Sequence, residues 1–217
     1  MSYRKCNCYK QYSYCQRQNQ CLSDRGNNAN RCHNLGPFIA IDPDCVVSAK
    51  KTGSIIPFSS GVTPAVLVNA VGGLIGTTSL VGFGSAIPGV SVVNNQINLL
   101  APLLSEAFSV PRAGSITSIS ASFRATLAVA LVGTATVNAR IYRAPAGSNT
   151  FTATAASVNL TPITGPLAVD QTVSGTSENF APVAVSPGDR LLMVFSVSGV
   201  ALATTLTGVA SAGINIE

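Results

Sequence analysis

The six cysteines are the residues of this chain whose type and spacing most directly suggest chemistry. All six lie within the first 45 of 217 residues: Cys6, Cys8, Cys15, Cys21, Cys32 and Cys45. Successive cysteines are separated by one, six, five, ten and twelve residues. Together with His33 they supply enough ligands for zinc, but these spacings match no standard Cys-x2-Cys pairing, so we expect no metal site. The same thiols could form disulfides, within one chain or between chains.

The segment that carries the cysteines is a basic, polar arm, which we place at residues 1–50, ahead of a domain at 51–217. Residues 1–51 hold eight Lys or Arg and three Asp, whereas residues 52–217 hold five basic and five acidic residues, so the net charge of +5 belongs to the arm. The arm lacks dense Lys/Arg runs, and we expect no nucleic-acid partner. Residues 1–36 show no apolar periodicity and cannot build a core of their own.

A short apolar segment follows the first five cysteines. It contains Leu35, Phe38, Ile39 and Ile41 and ends at the turn signal Asp42-Pro-Asp. A segment of this kind can be an edge strand, or a peptide that adds as a strand to the sheet of another molecule. We therefore take these four apolar residues as a candidate strand-addition segment.

The chain shows no targeting or membrane segment. Its N-terminal residues are polar instead of forming an apolar signal, and the most apolar stretch, Leu127 to Gly133, is far shorter than the roughly 20 residues of a membrane span. We expect synthesis in a cytoplasm and no membrane partner. Cytoplasmic thiols normally stay reduced, so six cysteines in such a chain indicate later exposure to an oxidant.

The domain reads as all-β. Glycine and proline interrupt short runs about every 8–14 residues, as in a sandwich or barrel, and no amphipathic helix is evident beyond a short turn near Ala101 to Ala107. Three patterns are the clearest: alternation in 115–123 and 212–216, a polar face of Asn138, Arg140 and Tyr142 opposite Val137, Ala139 and Ile141, and a stretch from 190 to 197 that is apolar on both faces.

The domain offers little for catalysis. The chain's one histidine lies in the arm, and Asp170, Glu178 and Asp189 are isolated in the sequence and expected at turns or strand ends. Gly82-x-Gly84 lacks the third glycine of a nucleotide loop, and no Gly-x-Ser-x-Gly elbow occurs. We interpret the glycine-rich run 72–92 as turns, bulges and close strand approaches. We therefore expect neither an enzyme nor a cofactor.

Several runs of the domain resemble the C-terminal domain of BclB-related exosporium glycoproteins, found on spores of Bacillus and its relatives. They occur in order and cover nearly all of the domain: Gly53-Ser-Ile-Ile-Pro-Phe-Ser-Ser-Gly61, the run 72–92, Phe108 to Ile119, Pro187-Gly-Asp-Arg-Leu-Leu-Met-Val-Phe195 and Ser211 to Ile216. The resemblance implies a jelly roll of the trimeric tumour-necrosis-factor and complement type, in which a Pro-Gly-Asp turn before an apolar strand is common.

The N-terminus departs from this resemblance, since the family's collagen-like Gly-X-Y tract is missing and a cysteine arm stands in its place. In architecture the arm resembles the disulfide-forming connectors of spore appendage fibre subunits, which favours disulfides over zinc. Its Gln, Lys and Tyr residues could also form isopeptide or dityrosine cross-links, although a solvated polar tail is the simpler interpretation.

Together these features predict a structural protein of the spore surface, in the exosporium or an appendage fibre, that assembles with itself and with other exosporium or coat proteins. Only 10% of residues are charged and 47% are hydrophobic, against roughly 25% charged in ordinary soluble domains, which favours burial against further copies. The alternative is an adhesive, ligand-binding module at the spore surface, although the chain has no tryptophan to mark a carbohydrate site.

Overall fold

The computed structural model describes residues 53–69, 75–99, 105–199 and 204–217. By its contacts the chain divides into two units, Met1–Lys50 and Lys51–Glu217, and the described residues all belong to the second. Within the described part of the chain, no helix has the length and apolar character needed to cross a membrane.

The described residues form β-strands joined by turns, with a single 3-10 turn at 105–106, within the region where the sequence predicts one. The strands are β1 (Ser54–Ser59), β2 (Ala65–Asn69), β3 (Ile75–Val81), β4 (Ala86–Val90), β5 (Gln96–Asn98), β6 (Phe108–Ser109), β7 (Gly114–Ala125), β8 (Thr134–Ala144), β9 (Thr150–Asn159), β10 (Ile163–Thr164), β11 (Thr172–Ser177), β12 (Val183–Val185), β13 (Arg190–Gly199) and β14 (Thr204–Ile216).

The strands build two antiparallel sheets. Sheet A has the order β11-β7-β14-β2, with β1 pairing the far end of β14 and β12 beside β7. Sheet B has the order β4-β3-β13-β8-β9-β5, and β3 also pairs with β2, which joins the sheets at one side. The chain crosses from one sheet to the other between successive long strands, except at β8 and β9, which pair in sheet B; β14 lies beside β1, and β13 lies beside β3. This is the topology of a jelly roll, and it confirms the predicted all-β fold class.

The main core lies between the two sheets. Phe58 and Phe123 project from sheet A and Phe195 from sheet B, and each is at most 1% exposed. Aromatic side chains bury about 150–250 Å² each, so these three rings supply much of the apolar area that holds the sheets together. The core therefore depends on pairs of residues that are far apart in sequence.

The two clearest sequence patterns are confirmed. Val137, Ala139 and Ile141 of β8 are fully buried against sheet A, and Asn138 and Arg140 point to the opposite, outer face of sheet B. Strand β13 lies between β3 and β8, the central position expected of a strand that is apolar on both faces.

A second apolar cluster lies on the outer face of sheet B. The segment 86–99, which contains β4 and β5, packs Ile97 and Leu99 over Tyr142, Phe151 and neighbouring side chains. Tyr142 lies on the same face as Asn138 and Arg140, as the alternation predicts, but it is only 6% exposed because this segment folds back over it. The rest of the outer face stays uncovered by described residues.

The described part of the glycine-rich run, residues 75–92, forms β3, β4 and the turn between them. Two glycines meet beside this turn: a Cβ on Gly61, which has φ 58°, would overlap the carbonyl oxygen of Gly84. The Gly84 N–H donates a 2.8 Å hydrogen bond to the Ser59 carbonyl. The interpretation of this run as turns and close approaches is confirmed for these residues.

Candidate functional site

The residues that the sequence marks for cross-linking lie outside the described part of the chain. This holds for all six cysteines (Cys6, Cys8, Cys15, Cys21, Cys32 and Cys45) and for Leu35, Phe38, Ile39 and Ile41 of the strand-addition segment. Disulfides and strand addition therefore remain predictions. Among the described residues, no group of three or more His, Cys, Asp or Glu side chains is placed to hold a metal ion.

A polar groove opens on the outer face of sheet B, next to the apolar cluster beneath segment 86–99. Its volume is about 210 Å³, and its lining includes Thr78 of β3, Asn138 and Arg140 of β8, and Ser196 and Ser198 of β13. These residues share one face because side chains two apart in a strand project to the same side. None of the groove-lining side chains is acidic.

Arg140 is the cation of this groove. Its Nε atom is buried and has no hydrogen-bond partner, and the ion pairs among described residues join Arg124 to Asp170 and Arg143 to Asp189. Burial raises the pKa of the nearby Tyr142 phenol, and the positive charge of Arg140 opposes that rise. The groove thus presents a guanidinium that no described carboxylate neutralises.

A tight hairpin forms one wall of the groove. Val93 and Gln96 exchange backbone hydrogen bonds of 3.0 and 2.9 Å around Asn94 and Asn95, whose φ angles are 51° and 59°. Two successive left-handed residues are what a type I′ turn requires, and asparagine tolerates that region better than most residues. The Asn95 carbonyl accepts a 2.9 Å bond from the Ala153 N–H of β9, which fixes the hairpin against the sheet.

The turn before β13 holds a buried carboxylate. Asp189 is 3% exposed, and its Oδ2 atom accepts 2.7 Å hydrogen bonds from the Ser186 N–H and the Arg143 Nε–H. Burial alone would raise the pKa of Asp189, but these donors and the Arg143 charge outweigh it and leave the pKa below its ordinary value. The arrangement connects β8 to β13 and is structural in character.

The outer face of sheet A is different in kind, since it carries small polar side chains with few charges. Neighbouring strands join across it through hydroxyl pairs: Ser122 with Ser211 at 2.9 Å and Ser120 with Thr176 at 3.0 Å. Its one cation among the described residues, Arg124, is already paired with Asp170. At the edge, Ile55 of β1 is 76% exposed.

Sequence reasoning missed the partners of the acidic residues and the groove itself. Asp170 and Asp189 lie at turns, as predicted, but they are not isolated, because Arg124 and Arg143 pair with them from 46 residues away in the chain. One local signal was available: Asn94-Asn95 between apolar residues favours a two-residue hairpin turn. Nothing in the sequence of β8 alone distinguishes Arg140 from an ordinary exposed arginine.

Comparison with known proteins gives limited similarity. No family model matches the chain. Over 88 residues, 37% of this chain, it is 36% identical to Collagen-like protein 1 of Acanthamoeba polyphaga mimivirus, and the match spans 9% of that protein's length. Among solved structures the chain is similar to Eiger TNF from S. frugiperda, with 9% identity and a TM-score of 0.36 over 77% of this chain and 94% of that one. The chain is thus a jelly roll by its own strand topology.

Proposed function

We propose that this protein is a structural, self-assembling component of the bacterial spore surface, in the exosporium or in an appendage fibre. The jelly roll associates with further copies, and the cysteine arm then links the assembled units covalently. The spore assignment rests on the resemblance of the runs between Gly53 and Ile216 to BclB-related exosporium domains. The assembly mechanism rests on the surface of sheet A and on the confinement of the cysteines to residues 6–45.

The observation that carries the proposal is the outer face of sheet A. The centres of protein interfaces are depleted of charged side chains, and among the described residues this face carries a single arginine, Arg124, which is paired with Asp170. Small side chains recur on this face of β7 and β14, for instance at Ser120, Ser211 and Gly213. Small side chains let a second sheet approach closely over a broad area.

The polar groups of this face can also be buried at a low cost in free energy. A hydroxyl that loses water without gaining a partner costs free energy, whereas the Ser122–Ser211 and Ser120–Thr176 pairs are already made within one chain. Asn215 adds a third bond, donated from Nδ2 to the Thr117 hydroxyl at 3.0 Å. Association through this face would thus leave few polar atoms unsatisfied. We propose a homotrimer, the symmetry that the sequence resemblance implies.

The outer edge of β1 is the proposed acceptor for the strand-addition segment of a neighbour. Ser59 donates its N–H to the Gly82 carbonyl at 2.8 Å, away from β14, and alternate residues of an antiparallel strand point to the same side. Ile55 and Pro57 therefore direct their backbone away from β14 as well. Pro57 has no N–H, so an added strand would bond only its carbonyl oxygen there, and no described strand pairs at this edge between Ser54 and Phe58. Residues 35–42 of another copy would add at this edge, and disulfides would then lock the contact.

The assembly is tested with Ser122→Arg in the full chain, because a charged, bulky side chain at the centre of the face should prevent close approach. We expect the wild type to elute as a trimer or larger and the variant as a monomer in light scattering after gel filtration, under reducing conditions. Ser91→Arg is the matched control, since Ser91 is exposed in the loop after β4. It should leave the oligomer unchanged.

The covalent step is tested by electron microscopy and non-reducing electrophoresis of the purified chain. We expect assemblies that survive detergent and loosen with thiol, and immunogold labelling at the spore surface should locate them. The proposal fails if the full chain is monomeric in both assays and deletion of residues 1–45 changes nothing.

A further inference from the structure

The uncompensated guanidinium in the sheet B groove has no role in assembly through sheet A. A buried donor without a partner is rare in folded proteins and calls for an explanation in a missing ligand or water. Arg140 Nε is such a donor, and the Arg140 side chain lines an open groove instead of a closed core. Because the arginine fork matches a carboxylate in two parallel hydrogen bonds, a carboxylate is the complement that this site lacks.

The remaining walls add hydroxyl and amide groups around that charge. Ser196, Ser198 and Asn95 present short polar side chains towards the same space, and Val92 gives it one apolar side. The cavity of about 210 Å³ lies below the roughly 300–1,000 Å³ of sites for drug-sized ligands, which leaves room for one sugar ring and not for a folded peptide. One cation favours a single negative charge over a phosphate dianion.

We propose that this groove binds a carboxylate-bearing sugar, with Arg140 holding the carboxylate and the surrounding hydroxyl and amide groups contacting the sugar hydroxyls. The Asn94-Asn95 hairpin supports the site, because two left-handed asparagines anchored to Ala153 hold one wall in a fixed position. This inference goes beyond the assembly role, and its failure would leave the assembly proposal unaffected.

Saturation-transfer difference NMR of the ligand tests the site on the full chain, since the method works for monomers and for large assemblies. The probes are sodium D-glucuronate, D-glucose and sodium acetate, which separate the carboxylate from the hydroxyls. We expect glucuronate to bind and each of the other two to bind at least about tenfold more weakly, because each makes only one of the two sets of contacts. The natural ligand could be the end of a glycan or a free sugar acid, and a disaccharide with glucuronate at its non-reducing end separates the two. Tighter binding of the disaccharide than of free glucuronate indicates a glycan end, and weaker binding indicates the free sugar acid.

The variants assign the binding to Arg140. Arg140→Gln should raise the Kd for glucuronate at least about tenfold, the effect of losing a charge-assisted hydrogen bond. Arg112→Gln removes the same charge from an exposed residue whose side chain donates a hydrogen bond to the Ser54 hydroxyl, and it should change Kd less than about twofold. Ser198→Asp provides an independent check that leaves Arg140 in place, since a carboxylate on the groove wall would compete with the ligand for the guanidinium and abolish binding.

The proposal is overturned if glucuronate gives no saturation transfer to the wild type, or if acetate or glucose binds as tightly as glucuronate. It is also overturned if Ser198→Asp and a folded Arg140→Gln bind glucuronate like the wild type. Melting temperatures close to that of the wild type establish that each variant is folded.

Discussion

Replacing Asp189 by asparagine should destabilise the jelly roll more than any change to its exposed ion pair. The carboxylate accepts the bonds from Ser186 and Arg143 at Oδ2, whereas an amide is neutral, so even with its oxygen at that position it loses the charge assistance of these bonds. Hydrogen bonds to charged groups contribute about 1.5–3 kcal/mol each, so at least one such loss is expected. Arg143 remains 34% exposed and keeps part of its hydration, which limits the penalty to about 2–3 kcal/mol.

Urea unfolding followed by circular dichroism measures this difference, with wild type and variant at equal protein concentration because association shifts apparent stability. In thermal unfolding the same loss lowers Tm by roughly 5–10 °C, at about 2–4 °C per kcal/mol for a domain of this size. Asp170→Asn is the matched control: its pair with Arg124 is 55% and 68% exposed, and exposed pairs contribute at most about 1 kcal/mol.

The pH dependence separates the charge from the shape of the side chain. Because the pKa of folded Asp189 lies below its ordinary value, the stabilisation is fully present above the unfolded pKa of about 3.9 and is lost as pH falls through the folded pKa. The gap between wild type and Asp189→Asn should therefore be constant from pH 7 to about pH 5 and narrow in stronger acid. The reasoning is refuted if Asp189→Asn costs no more than Asp170→Asn, or if the gap is as wide at pH 3 as at pH 7.

Two backbone predictions follow from the turns and are measured by Tm. Gly61→Ala should destabilise the domain by more than about 2 kcal/mol because the added Cβ overlaps the Gly84 carbonyl. Gly147→Ala, whose Cβ would meet nothing within 4 Å, should cost only the roughly 1 kcal/mol that a positive φ imposes on alanine. Equal losses of stability in the two variants would contradict the predicted overlap. Asn95→Val should cost about 1–2 kcal/mol at φ 59° and Asn95→Gly close to nothing; equal effects would show that backbone strain does not decide this turn.

The strand patterns of the domain could be read from the sequence because they are local. Val137, Ala139 and Ile141 alternate with polar residues over a few positions, and the period of two places them on one face wherever the strand lies. The apolar character of β13 likewise predicts a central strand without knowledge of its neighbours. Such patterns fix the fold class and the direction of each side chain.

What could not be read are the contacts between distant segments. Tyr142 is buried because segment 86–99 crosses over it, and the sequence of β8 does not predict this contact. Asp189 and Arg143 are 46 residues apart in the chain, and they meet because β8 and β13 are neighbours in the sheet. Arg140 becomes notable only when its surroundings prove to contain no carboxylate. Sequence periodicity gives the side of a strand on which a residue lies, while the topology decides what it meets there.

The two outer faces of the sandwich differ in how their polar and charged side chains are paired. On sheet A the hydroxyls satisfy each other and the arginine is paired, so the face can lose water at small cost. On sheet B an arginine is left without a carboxylate in a polar groove, an arrangement that costs free energy unless something binds. Because the faces lie on opposite sides of the core, Ser122→Arg and Arg140→Gln share no partners and should act independently. A jelly roll that stacks through one sheet therefore keeps the other available for a ligand.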